Sequence, residues 1–325
     1  MQLRTITDAD EAVDLLRAGG LVALPTETVY GLAADASSED ALARLFSAKA
    51  RPAEHPVIVH VGSASTADGW AVDVPTWTRP LMDRLWPGPL TLILPRAPHV
   101  LDAVTGGQPT VGLRVPDHPL TAQVLERFSG GLAAPSANRY GRVSPTTAAH
   151  VVTGLGDVLD PQRDAVLDGG PCQVGVESTI VGAWDDVPRL LRPGAVTATQ
   201  IAEFAGRQVR LGSGGVRSPG STASHYAPRA RVVVVDADGL GEAASVTTAV
   251  RPSVLALREV TVPPGLPSLA QPADAVEYAH VLYAALQRAD AIGSDVVLAV
   301  PPVGEGVGVA VRDRLRRAAS AGDRP

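Results

Sequence analysis

Residues 21–36 read LVALPTETVYGLAADA, a short apolar run that ends at Pro25 and opens into a polar turn. LVALP suits a buried strand. Before it, a segment capped by Thr7 or Asp8 has helical spacing and stops at Gly19-Gly20; after it, Ser38 opens ALARLFSAK, which Pro52 ends. Further on, VIVHV, LTLIL, TVGLRV, GLAAP and STIVG are apolar or β-branched runs bounded by Gly and Pro, and read as strands. Alternating helices and strands predict an α/β protein with one sheet and helices packed on it. Thr26, Glu27, Thr28 and Tyr30 then fall at the C-terminal end of a strand, the edge where open α/β sheets bind ligands.

At 325 residues the chain has room for two domains. The α/β pattern runs to about residue 211. Residues 211–231, LGSGGVRSPGSTASHYAPRAR, have no periodicity and read as a linker. RVVVVD, a helix from about Ala273 to Arg288, DVVLAV and a helix near AVRDRLRRAA suggest a small Rossmann-like β-α-β domain at the end. The expected division is 1–211, 212–230 and 231–325. The glycines of PPVGEGVGV, at 304, 306 and 308, do not fit the dinucleotide-binding spacing and read as a tight turn.

With 45% hydrophobic and 19% charged residues the chain has ample core, and extensive disorder is not expected. A formal charge of -6 argues against broad capture of nucleic acid or anionic membrane. Direct nucleic-acid binding is therefore expected to be weak or absent. No apolar run reaches the roughly 18 residues needed to span a bilayer. MQLRTITDADEAV meets acidic residues before any apolar stretch, so the sequence reads as cytoplasmic. The single cysteine, Cys172, cannot form an internal disulfide and reads as a small buried hydrophobe.

Basic residues are almost all arginine. Lys49 is the one lysine among 28 basic positions. It is either a chance survivor at a helix C-terminus, where cations are favoured, or a compact ammonium placed against phosphate oxygens. On either reading a helix-end lysine is expected to be replaceable without harm to the fold. Ala48 and Ala50 flank it, which excludes a P-loop, and the kinase segments are missing. His55 and His60 lie roughly 16 Å apart if the intervening run is extended, too far to share one metal ion. In APSANRYGRVSPTTAAHV, Ser136 follows a strand, and Ser144-Pro145 has the N-cap and first-turn residues of a helix, where free amides accept phosphate. Ser136 is outside any nucleophile elbow. Arg114 and Arg192, in strand-like surroundings, need carboxylate or phosphate partners.

Taken together and in order, PTETVYGL, KARP, GLRVP, APSAN, SPTTA, DGGPCQVGVEST and LLRPG resemble the YrdC-like family in its threonylcarbamoyladenylate-forming branch. SPGSTASHYAP and GVGVAVRDRLRRAA are similar to the long, two-domain form. The resemblance implies a twisted mixed sheet flanked by helices. It implies a nucleotidyltransferase that joins L-threonine, bicarbonate or CO2, and ATP into L-threonylcarbamoyladenylate with release of pyrophosphate. ATP would arrive with Mg2+, and a separate tRNA threonylcarbamoyl transferase would deliver the group to adenosine 37 of tRNA.

By motif position, Thr28, His60, Arg114, Ala134 and Ser178 would contact threonine. Lys49, Arg51, His55, Thr110, Ser136, Ser144, Arg192, Ser218 and Tyr226 would contact ATP, with Lys49 and Arg51 catalytic and the linker acting as a lid. Two departures stand out. His55 replaces the usual Asn, and Ser221, Thr222, Ala223 and Ser224 replace a Met-Lys-Tyr-Arg run. The altered linker raises a second reading, a non-catalytic RNA-binding or regulatory module. The carbamoyl-transfer chemistry of hydrogenase maturation is disfavoured, because a single cysteine cannot build the paired-cysteine zinc motifs found there.

Overall fold

The computed structural model describes residues 3–212, 214–220 and 225–320. The chain divides into two compact units. One comprises 1–140, 145–173 and 177–221; the other comprises 141–144, 174–176 and 222–325.

The first unit contains strands β1 (Arg4–Ile6), β2 (Val22–Leu24), β3 (Gly31–Asp35), β4 (Ile58–His60), β5 (Leu90–Pro95), β6 (Thr110–Arg114), β7 (Leu132–Ala133), β8 (Ala165–Leu167), β9 (Thr179–Gly182), β10 (Arg189–Arg192) and β11 (Arg210–Leu211). Its helices are α1 (Ala9–Arg17), α2 (Glu39–Lys49), α3 (Ala64–Ala67), α4 (Arg79–Leu85), α5 (Asp102–Thr105), α6 (Pro119–Phe128), α7 (Ala148–Leu155) and α8 (Ala198–Ala205). The strands form one sheet in the order β1-β8-β2-β3-β7-β4-β6-β5-β9-β10-β11. The sheet is mixed, because it contains parallel pairs such as β4 with β6 and antiparallel pairs such as β2 with β3.

Local chemistry explains the helices that carry the site. Asp8 caps α1 by accepting the Asp10 amide, and Ala9, Ala12, Val13 and Leu16 form its buried stripe. Ser38 caps α2, whose buried face runs Ala41, Leu42, Leu45, Phe46 and Lys49. The helix stops where Ala50 turns left-handed, with φ 49°, and Pro52 cannot resume it.

The second unit has strands β12 (Arg231–Val234), β13 (Pro252–Leu255), β14 (Ser268–Ala270) and β15 (Val296–Ala299), with helices α9 (Leu240–Val246), α10 (Ala275–Ala291) and α11 (Val307–Ala319). Its sheet runs β12-β15-β13-β14 and is wholly parallel. RVVVVD and DVVLAV pair as neighbours, from Arg231 opposite Val296 to Val234 opposite Ala299. The sequence reading did not foresee β13, β14 or α9.

One buried carboxylate ties the first unit together near β2. Asp164, 1% exposed in its side chain, accepts the Leu21 amide at 2.8 Å, the Asp160 amide at 2.9 Å and Arg44 Nη2 at 2.9 Å. Replacing it leaves the buried Leu21 amide without its carboxylate partner and removes the ion pair to Arg44. Asp164→Ala is expected to lower unfolding free energy by about 3 kcal/mol in urea titrations. Asp157→Ala, which breaks an exposed pair with Arg139, should change it by less than about 1 kcal/mol.

Candidate active site

The loop after β2 is built by its own hydroxyls. Thr26 Oγ1 donates to Val29 O at 2.6 Å, accepts the amides of Thr28 and Val29 at 3.2 Å, and lies 2.8 Å from Thr28 Oγ1. That turn fixes Thr28, whose hydroxyl accepts Arg114 Nη2 at 2.9 Å. Arg114 ends β6, is 4% exposed, and donates to Glu27 Oε2 at 2.7 Å and, through Nε, to Gly88 O at 3.3 Å. His60 ends β4 and stands in register with Arg114. Burial, and then the Arg114 charge, push the His60 imidazole down to about 3, against a backbone hydrogen bond to Ile58. At neutral pH it is therefore uncharged.

A second cluster joins the first through the residues around β5. Thr91 Oγ1 lies 2.8 Å from Ser178 Oγ, and Ser178 immediately precedes β9. Arg192, the buried last residue of β10, donates Nε to Ser178 O and Nη2 to Ser178 Oγ, both at 3.0 Å. Its Nη1 reaches Pro219 O at 3.2 Å. The chain around Ser218 is thus tied to the sheet, with Gln108 and Arg217 exchanging hydrogen bonds beside it.

The third cluster surrounds Lys49. This side chain is 1% exposed, and its ammonium donates to the carbonyls of Ser136 and Asn138. The same stretch is held by Leu32 N to Pro135 O at 2.8 Å, Ala134 N to Ile58 O at 3.0 Å, and Ala137 N to Tyr30 O at 2.7 Å. Burial, with the Arg51 charge added, holds the Lys49 ammonium well below the usual lysine range. Arg51 Nη2 donates to Pro56 O at 2.8 Å, and its guanidinium lies 5.6 Å from the Tyr140 ring. Tyr140 Oη lies 2.9 Å from His55 Nδ1, and its amide donates to Lys49 O. Burial and the Arg51 charge lower the His55 pKa.

These placements change parts of the sequence reading. Lys49 is not an exposed helix-end residue. It occupies the buried stripe of α2, at the i+7 position from Leu42, a spacing visible in the sequence. Ser144-Pro145 does not start a helix. Thr147 caps α7, accepting the His150 amide at 3.2 Å, because the first helical residue is Ala148. Ser144 is buried and groups with the second unit. Tyr226 does too: 1% exposed, with φ 63°, it stacks on Tyr283 at 5.7 Å and lies under the Arg314 guanidinium at 5.2 Å. Thr110 is the buried first residue of β6, opposite Pro95. Ser221, Thr222, Ala223 and Ser224 lie outside the described residues. Thr91, Asn138 and Tyr140 were not anticipated, and Glu27 had no assigned role.

A mixed sheet that carries two buried arginines at its strand ends, with a buried lysine on a neighbouring helix and several buried hydroxyls, defines an α/β protein with cations placed in its interior. The profile of the Sua5/YciO/YrdC family, described as telomere recombination, matches residues 14–194, and one described as the threonylcarbamoyl-AMP synthase C-terminal domain matches 196–320. Threonylcarbamoyl-AMP synthase of Pyrococcus abyssi is 37% identical over 94% of this chain and 92% of its own length. The Bacillus subtilis protein of that name is 37% identical over 95% and 92%. A crystal structure of P. abyssi Sua5 complexed with L-threonine superposes with a TM-score of 0.87 at 33% identity, covering 98% of both chains. The chain belongs to the Sua5/YciO/YrdC family, in its two-domain form.

Because the folded-state pKa of His60 is depressed from 6.5 to about 3, the unfolded chain binds its proton first. Stability from this residue is complete above pH 6.5 and is lost as pH falls toward 3. Urea unfolding from pH 7 to 4 should therefore fall less steeply in His60→Gln, by up to about 1.4 kcal/mol per pH unit. Parallel curves would contradict the buried neutral imidazole.

Proposed function

We propose that this chain makes L-threonylcarbamoyladenylate from L-threonine, bicarbonate or CO2, and ATP, releasing pyrophosphate. The observation that carries this reading is the buried group formed by Arg114, Thr28 and neutral His60, linked within the same unit to Ser178 and Arg192. The threonine complex of P. abyssi Sua5, similar over nearly the whole length, supports placing L-threonine in that group.

In this proposal Arg114, Thr28, His60, Ala134 and Ser178 hold threonine, with Arg114 on the carboxylate. The amine nitrogen bonds to the carbon of CO2 and loses its proton, giving a carbamate. A carbamate oxygen then bonds to the α-phosphorus of ATP while the bond from that phosphorus to the bridging oxygen breaks, and pyrophosphate leaves. Such a transfer needs positioning and charge stabilisation more than a protein nucleophile.

Arg51 and Arg192 supply that charge. Lys49 contributes through its hold on the Ser136 segment, keeping the Ser136 hydroxyl in place. His55, Thr110 and Ser218 complete the ATP set proposed within the first unit. Mg2+ is proposed to enter with ATP. The chain's groups here are mostly cations and hydroxyls, so triphosphate oxygens would supply its main ligands. A separate transferase would pass the threonylcarbamoyl group to tRNA adenosine 37, consistent with a net charge of -6 that does not favour RNA docking. No described helix is long and apolar enough to cross a membrane. We place the reaction in the cytoplasm, where ATP and tRNA meet.

Pyrophosphate release by the purified chain is expected only when L-threonine, bicarbonate, ATP and Mg2+ are all present. Omitting threonine should reduce the rate at least about 100-fold, because the attacking carbamate cannot form. Equal release without threonine would defeat the proposal.

A further inference from the structure

Glu27 is 4% exposed, yet only one of its carboxylate oxygens is used. Oε2 accepts Arg114 Nη2 at 2.7 Å and the Asp117 amide at 3.2 Å. Oε1 has no hydrogen-bond partner. Buried polar atoms are nearly always paired, and a bare carboxylate oxygen is costly.

A second orphan lies close by in the fold. His60 Nδ1 is also buried without a partner. His60 stands opposite Arg114 in the parallel β4–β6 pair, so both side chains project from the same face of the sheet. A carboxylate oxygen only accepts, so Glu27 Oε1 asks for a donor, whereas a neutral imidazole nitrogen donates or accepts according to its tautomer.

Charge narrows the choice of ligand. The Glu27–Arg114 pair is neutral overall, and a ligand that matches it carries a cation and an anion at short range, as the zwitterion of an α-amino acid does. We propose that Glu27 is a specificity-determining residue of the amino-acid site, its Oε1 accepting a hydrogen bond from the α-ammonium of L-threonine while Arg114 faces the carboxylate. This rests on the synthase reading above. Were Glu27 only a counter-ion that orients Arg114, the amine would be recognised elsewhere and Oε1 would stay bare.

The test is calorimetric titration of the full-length protein with L-threonine and with the analogue in which a hydroxyl replaces the α-amine. The unaltered protein is expected to bind threonine at least about 10-fold more tightly, the scale of a charge-assisted hydrogen bond. Glu27→Gln should reduce that preference to within about 3-fold and leave ATP affinity within about 3-fold of the original. A counter-ion role would weaken both amino-acid ligands equally and keep the preference, which overturns the proposal.

Equal affinities in the unaltered protein overturn it as well, whether or not the variant folds. If Glu27→Gln does not fold, Glu27→Asp keeps the charge but withdraws the oxygen, and it too should narrow the preference; an undiminished preference overturns the proposal. Failure of the unaltered protein to bind threonine would instead remove the synthase reading and the proposal with it.

Discussion

The ammonium of Lys49 is buried at the end of α2 and grips the carbonyls of Ser136 and Asn138. Those carbonyls belong to a stretch between β7 and α7 that no regular ladder covers, where Ser136 O also accepts the Asn138 amide at 2.9 Å. A lysine reaching from a neighbouring helix adds a donor to each. Its burial costs desolvation, visible in its lowered pKa, and the two charge-assisted hydrogen bonds offset that cost. With the stretch fixed, Ser136 bridges to Gly31, and Tyr140 is held beside Arg51 and His55.

The remaining charges follow the same rule. Arg114 and Arg192 each spend donors on fixed acceptors, the former on Glu27, Thr28 and Gly88, the latter on Ser178 and Pro219. Partners of this kind hold each guanidinium in one place. The sheet makes this possible by ending several short strands at buried basic residues: His60 closes β4, Arg114 closes β6 and Arg192 closes β10.

Much of this was legible in the chain. Apolar runs bounded by Gly and Pro gave the strands around Leu24, Val59, Leu92 and Leu113, and Asp8 and Ser38 marked helix starts that the structure keeps. Helix α7 begins later than Ser144 because a proline after a serine suits a turn as well as a first helical residue, and Thr147 caps better from its own position. The pairs that depend on distant residues were out of reach. Nothing local to Glu27 announces Arg114, 87 positions on, and Tyr140 meets His55 across 85. Lys49 was the exception. Its place in the stripe of Leu42, Leu45 and Phe46 marks a buried lysine.

Equilibrium urea unfolding of Lys49→Met tests the central constraint most directly. Methionine keeps the apolar volume and removes both donors. If the ammonium organises the segment from Ser136 to Asn138, stability falls by about 2 kcal/mol or more, because two charge-assisted hydrogen bonds to carbonyls of that segment are lost. A variant as stable as the original chain would contradict that account and return Lys49 to an ordinary helix-end cation.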